Sequence, residues 1–373
     1  MRRQLHALPP AHAGSARLLH SLHFGAGLSG RKVYIQASLH ADEVPPMLVA
    51  QHLKDRLLEL EAAGQLPGEI VLLPLANPIG LAQELQGTSF GRFDLSTGVN
   101  FNRGYQHLTP ALLPRLQGQL GADAAANVRL VRAAAQALLA ERPVATETEA
   151  LKRLLQSLAL DADVVLDLHC DNQAVLHVYT GTPLASALAP LAARLGAQAY
   201  LISRESGDDP FDESLARHWW ELAEHFGPAT PVPLACLAAT VELRGETEVS
   251  HELAAADAAA LIEFLRDTGD VTDRSPAALE GIACPATALE AVEPIVAPHA
   301  GVLVFLKAPG DRVVAGEAVA ELIDPLSEQR SLLCARAAGL MFARVSRRYA
   351  SAGMRVCKIA GAIPFRSGKL LSM

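Results

Sequence analysis

His40 and Glu43 stand in an H-x-x-E spacing inside residues 34–46, YIQASLHADEVPP, where a run that reads as a buried strand stops abruptly. That spacing puts an imidazole and a carboxylate on one turn just past the strand, ahead of a helix begun by Pro45-Pro46. Two ligands of borderline hardness at that distance suit zinc. Taken alone the pattern describes equally well a histidine and an acid in a polar loop. It gains weight from a second element far downstream, DVVLDLHCD at 163–171, another apolar strand that ends in His169. Its residues hardly alternate, as expected of a strand covered on both faces. In open α/β sheets sites form at the carboxyl ends of strands, so two strands tipped with histidine can point into one crevice. Two histidines and a glutamate, with a fourth position left for water, make the arrangement of a catalytic zinc site.

The elements that must position these residues follow the β-α-β alternation of a sheet layered with helices. Residues 16–24 alternate enough for an edge strand, 25–30 turn, and 31–39 form the first central strand. A helix over 45–63 follows with Gly64 as its carboxyl cap, then a buried strand over 69–75 ending at Asn77-Pro78. The next stretch is rich in Gly, Ser, Thr and Asn, which suits a long functional loop, and it holds Arg92 and GVNFNRG at 98–104. Residues 111–160 read as covering helices, with a T-x-x-E capping box at Thr146 and Glu149. Strands are expected at 175–180, 199–203 and 234–243, and helices at 184–195, 212–226 and 251–266, with Glu242 at the end of the last strand. DTGDVTDRSP then marks a linker.

From residue 290 the pattern changes to short β-like runs with an internal echo. Residues 295–323 can be laid on 332–360, so that Gly301 matches Gly339, Gly316 matches Gly353 and Leu322 matches Ile359. This unit looks like the barrel-sandwich of lipoyl and biotinyl carrier domains. The connecting turn DPLSEQR carries no lysine to modify, so a carrier role is not expected. We divide the chain into a catalytic domain, 1–289, and a C-terminal all-β barrel-sandwich domain, 290–373, that packs on the first or lids it.

Composition narrows the function classes. With 373 residues, 50% hydrophobic and 19% charged, the chain can bury a large core. A net charge of -8 and no long basic run argue against nucleic acid as a partner. Five cysteines without a C-x-x-C pair fit reduced thiols in the cytoplasm. Pro9 and Pro10 interrupt any apolar leader, and no stretch of about 18 apolar residues follows, so neither export nor a membrane is expected.

The motifs taken together, His40 to Glu43, Asn77-Pro78, Arg92, Asn102-Arg103, Asp167-Leu-His169 and Thr240-Val-Glu242, resemble the succinylglutamate desuccinylase and aspartoacylase family, relatives of the zinc carboxypeptidases. The resemblance covers most of 16–270 and implies a mixed β-sheet layered between helices. It implies further that His40, Glu43 and His169 ligate one Zn²⁺ per chain, and that Glu242 is general base and then proton donor. Arg92 would stabilise the oxyanion, and Asn102 with Arg103 would grip a substrate carboxylate. Plainer readings stand beside these: Glu242 as a solvated strand-end acid, Arg92 paired with Asp94, and Arg103 in a surface salt bridge. Asp167 could orient an imidazole or face another element, while Arg204 and Glu205 border the pocket as specificity candidates only. Relatives carry Gly after the first His and Asp-Leu-Asn-Arg at the arginine motif, where this chain has Ala41 and Asn100-Phe-Asn-Arg103. No tyrosine matches the substrate-contacting ones of the family; Tyr179 reads as a strand residue and Tyr349 as a distant candidate. The expected function is a deacylase that cleaves the amide of an N-acyl amino acid or related small acyl amide. A metallocarboxypeptidase acting on peptide C-termini and a non-catalytic ligand-binding relative are the alternatives, and a homo-oligomer is compatible with either.

Overall fold

The computed structural model describes residues 1–279 and 284–371. Among the described residues a nine-stranded sheet organises the N-terminal part. Its strands are β1 (Arg2–Ala7), β2 (Leu18–Phe24), β3 (Lys32–Ala37), β4 (Glu69–Leu73), β5 (Val164–Asp171), β6 (His177–Gly181), β7 (Ala199–Ser203), β8 (Leu237–Gly245) and β9 (Ala286–Ala288). They lie in the order β1-β2-β4-β3-β5-β8-β6-β7-β9. The central strands β4, β3, β5 and β8 are parallel, and β6 runs antiparallel to β8. Helices α1 (Pro45–Ala62), α2 (Thr109–Leu116), α3 (Ala124–Glu141), α4 (Glu147–Ala159), α5 (Ala185–Arg194), α6 (Phe211–Phe226) and α7 (His251–Asp267) cover the faces. The expected layered α/β sheet is therefore present. β3 and β5 are buried almost throughout because helices cover both sides, which is why their sequences run apolar without alternating.

Two strand expectations change. The segment 16–24 is not the edge, because β1 pairs with residues 18–23 of β2 and takes that place. β1 escaped notice since RRQLHA is polar and mostly exposed, as an edge strand is allowed to be. The strand expected from 234 starts at Leu237, after Pro231 and Pro233, which have no N–H to give to a ladder. No helix is long and apolar enough to cross a membrane among the described residues.

The C-terminal part comprises β10 (Val292–Val296), β11 (Gly301–Phe305), β12 (Arg312–Val313), β13 (Ala318–Ile323), β14 (Arg330–Cys334), β15 (Gly339–Arg344), β16 (Tyr349–Ala350) and β17 (Arg355–Gly361). They form two four-stranded antiparallel sheets, β10-β17-β15-β12 and β14-β13-β11-β16, and not a closed barrel. The echo has a structural meaning. Each repeat lends its short middle strand to the other repeat's sheet, β12 to β15 and β16 to β11. One matched glycine pair lies where backbones nearly touch: a Cβ on Gly301 would meet Ile323 O at 2.5 Å, and one on Gly339 would meet Ala360 O at 2.5 Å. β15 also pairs with Gln173-Ala174 of the N-terminal part, and Tyr179 and Leu201 share a buried cluster with Leu289, Phe342 and Ala343.

Candidate functional site

His40 leaves the end of β3 through Ser38, whose φ of +61° is a left-handed conformation unfavourable for a residue with a Cβ. Asn77 fixes the exit by donating from Nδ2 to Leu39 O at 2.9 Å, and Gly91 O accepts from Ala41 N at 3.1 Å. The turn closes with Glu43 N donating to His40 O at 3.1 Å. From the neighbouring strand β5 comes His169. Asp167 on β5 is in register with Gln36 on one side and Thr240 on the other, and His169 is in register with Glu242 of β8. Residues two apart on a strand share a face, so Asp167, His169, Thr240 and Glu242 line one patch.

The expected His-Glu-His set converges: ligand atoms of His40, Glu43 and His169, all buried, lie within 4.8 Å of one another. Glu43 sits between the rings, with Oε1 2.9 Å from His40 Nδ1 and Oε2 2.8 Å from His169 Nδ1. Cys170 N also donates to Oε2 at 3.1 Å. Both remaining ring nitrogens face oxygens, His40 Nε2 being 3.0 Å from Asn100 Oδ1 and His169 Nε2 2.9 Å from Asp167 Oδ2. Burial works against the Glu43 charge, but the two imidazoles outweigh it and hold the carboxyl well below its ordinary range. Burial and then Arg92 push His40 down to about 4. His169 moves the other way, since burial is overcome by Asp167 and Glu43.

Arg92 joins this group and not Asp94. Its Nη1 lies 2.8 Å from His40 Nδ1 and 3.3 Å from Glu43 Oε1, whereas Asp94 accepts from Ser96, Thr97 and Thr148. Glu242 lines the same cavity, and burial followed by the nearby Glu43 pushes its carboxyl up to about 8. Its Oε2 is buried without a hydrogen-bond partner among the described residues. Arg103 also lines the cavity, donating to Asn102 O at 2.5 Å. The Asn102 carboxamide is occupied otherwise: Oδ1 accepts from Phe211 N at 2.9 Å, and Nδ2 lies 3.4 Å from His169 Nε2.

Other expectations fall away from the cavity. Arg204 pairs with Glu224 and Glu205 with Arg217 on the surface, and Tyr349 is 48% exposed on the C-terminal sheet. Tyr179 does line the cavity. Sequence reading missed Asp212, at the start of α6, and Arg355, Lys358 and Arg366 from the C-terminal part, all of which line it. Lys358 Nζ donates to Asp171 Oδ2 at 2.7 Å, two residues beyond His169. Nothing local marks these four residues, because long-range packing brings them in.

Comparison with known proteins agrees with this geometry. The family described as succinylglutamate desuccinylase/aspartoacylase catalytic domain matches residues 29–267. No curated protein matches the chain. Among solved structures, a succinylglutamate desuccinylase/aspartoacylase family protein from Shewanella amazonensis is 25% identical, with a TM-score of 0.81 over 96% of this chain and 98% of that one. A Shewanella frigidimarina protein is 24% identical, with a TM-score of 0.80 over 96% of both chains. The ectoine utilization protein EutE from Ruegeria pomeroyi, 16% identical, shares the fold with a TM-score of 0.69 over 97% of this chain and 95% of its own. A family match over most of the chain, on a fold that brings the motif residues together, leads to one assignment: this chain belongs to the succinylglutamate desuccinylase/aspartoacylase family.

Proposed function

We propose that the chain is a zinc-dependent hydrolase that removes the acyl group from an N-acyl amino acid or a related small acyl amide. The observation that carries this reading is the convergence of His40, Glu43 and His169 within 4.8 Å, with Glu242 in register beside His169. The donor set fits a dication. Nε2 of each imidazole faces an oxygen, which leaves the Nδ1 lone pairs turned toward Glu43, and metal-ligating histidines are oriented in this way. A bound zinc ion would supply a water of pKa about 7 and polarise the acyl carbonyl.

The chain's own residues supply the rest. Glu242, a buried carboxyl whose proton affinity is raised toward neutral pH, takes the proton of the attacking water and returns it to the leaving nitrogen. Arg92, anchored beside His40, directs its guanidinium at the oxygen that gains charge. Arg103 binds a substrate carboxylate, while Asn102, spent on Phe211 N and His169, holds the Arg103 loop and α6 in place. A cavity of about 150 Å³ walled partly by C-terminal residues favours a small acyl amide over a peptide end. Five free cysteines support placement in the reducing cytoplasm.

Metal analysis with an activity panel tests the reading. Purified protein is expected to carry stoichiometric zinc and to hydrolyse N-acetyl or N-succinyl amino acids in preference to short peptides. His169→Ala should lose the metal, and Glu242→Gln should keep it while losing turnover by about 10²–10⁴-fold. A preference for peptides would give the carboxypeptidase reading priority. Loaded protein that cleaves no acyl amide, with Glu242→Gln behaving as the parent does, would make this a binding relative.

A further inference from the structure

Four carboxyl groups line the cavity, and all but one are spoken for. Asp171 is held by Lys358 at 2.7 Å. Glu213 accepts from Ser206 N at 2.9 Å and Ser206 Oγ at 2.8 Å, and Arg217 Nη1 lies 3.4 Å from it. Glu242 is assigned above to proton transfer. The fourth, Asp212, is 8% exposed, lines the cavity and has no ion pair among the described residues. Arg103 exerts a favourable charge on it without pairing, since its guanidinium already donates to Asn102 O and, at 3.5 Å, to Leu371 O.

The chain takes trouble to present this carboxyl. Asp208 and Asp209 both adopt left-handed backbone, φ +59° and +46°, immediately before α6 begins. Asp208 O and Asp209 O accept from Gly104 N at 2.7 Å and Tyr105 N at 3.1 Å, and Phe211 N donates to Asn102 Oδ1. The start of α6 is thereby tied to the loop that carries Arg103, so a carboxyl and a guanidinium face one small cavity from adjoining segments. Burial, followed by Glu213 and Asp167, pushes Asp212 up to about 7, and Arg103 offsets only part of that.

We propose that Asp212 is a specificity residue that pairs with an ammonium group on the amine half of the substrate, while Arg103 takes its carboxylate, so that the preferred substrate is an acylated diamino acid. This rests on the hydrolase reading above. A buried carboxylate that lacks a cation discriminates strongly in favour of a ligand that brings one, because a neutral ligand leaves the charge desolvated and unpaired. Paired Asp171 and Glu213 offer no such discrimination.

The test compares Nα-acetylornithine with its neutral counterpart N-acetylnorvaline and its acidic counterpart N-acetylglutamate on zinc-loaded protein. Nα-acetylornithine should exceed both in kcat/KM by about ten-fold or more, the worth of one charge-assisted contact. Asp212→Asn should remove that margin by lowering Nα-acetylornithine alone. Calorimetric binding of free ornithine, norvaline and glutamate gives a readout independent of turnover. Ornithine should bind tightest to the parent protein and lose its advantage in Asp212→Asn. If no acetylated compound turns over while ornithine still binds in an Asp212-dependent way, the hydrolase reading fails and the recognition stands. If glutamate or N-acetylglutamate is preferred, or if Asp212→Asn weakens all three compounds alike, Asp212 is no cation selector.

Discussion

Glu43 sets one oxygen beside Nδ1 of each imidazole, and Asp167 backs the His169 ring from 2.9 Å with Gln36 Nε2 holding its other oxygen at 2.9 Å. A carboxylate behind a ligand histidine fixes the tautomer and raises ligand basicity, so its charge matters to metal binding although it touches no metal. Asp167→Asn keeps the size and one acceptor but removes the charge. Its zinc affinity, measured by chelator competition, should fall by about 10–100-fold; unchanged affinity would show that Asp167 serves packing alone. Asp212 supports a second residue-level prediction, in which the sign follows from the folded carboxyl being pushed up to about 7 while the unfolded one titrates near 3.9. An acid raised in the folded state contributes stability below the unfolded value and loses it as pH climbs through the folded one. Parent protein should therefore weaken relative to Asp212→Asn between about pH 4 and 7. The gap in urea-unfolding free energy at pH 8 should be a few kcal/mol, at most about 4, in the variant's favour. Equal pH profiles for the two proteins would mean that Asp212 ionises freely in the fold.

At the scale of elements, the site depends on backbone against backbone. A Cβ on Gly91 would stand 2.1 Å from Asp42 N and 2.6 Å from Ala41 C, so the loop after β4 presses directly on the turn between His40 and Glu43. Neither side can yield as a flexible side chain could. Gly91→Ala should cost on the order of 1–3 kcal/mol in stability and weaken zinc binding by displacing the turn. A Gly91→Ala protein with parental melting temperature and zinc affinity would mean the turn is set by Asn77 and Ser38 without that loop. The strands and the convergence of His40, Glu43 and His169 were legible because a buried strand has a compositional signature and its abrupt end at histidine is visible in one dimension. The pocket's α6 wall was legible only in part: helix 212–226 was expected nearly as found, yet attention went to Arg204 and Glu205, which lie outside the cavity. Asp208 and Asp209 are left-handed just ahead of Asp212, and although aspartate favours that conformation more than most residues, its presence does not mark where the conformation occurs. Arg244, at φ +61° beside the register shift that follows Glu242, is hidden in the same way.

On the scale of the whole molecule, the C-terminal sandwich is joined to the catalytic sheet by three kinds of contact. β15 pairs with Gln173-Ala174, the cluster around Phe342 and Tyr179 is shared, and Lys358 reaches Asp171 at the end of the strand that carries His169. That the tail packs on the first part was expected, but these contacts could not be read from it, because the side chains involved have no partner nearby in sequence. Asp171, despite burial, is held down to about 2 chiefly by Lys358, so removing the ammonium would leave a carboxylate uncompensated two residues from His169. The Lys358 side chain stays 37% exposed, which places the pair between a surface and a buried ion pair. Lys358→Met should thus cost roughly 2 kcal/mol, less than a fully buried pair would. If the sandwich and the sheet unfold as one unit, the loss should appear as a lower melting temperature in a single calorimetric transition, with zinc affinity and kcat/KM declining together. Two separate transitions, with only the lower one moved by Lys358→Met, would instead make the sandwich a module that folds independently and docks on the site.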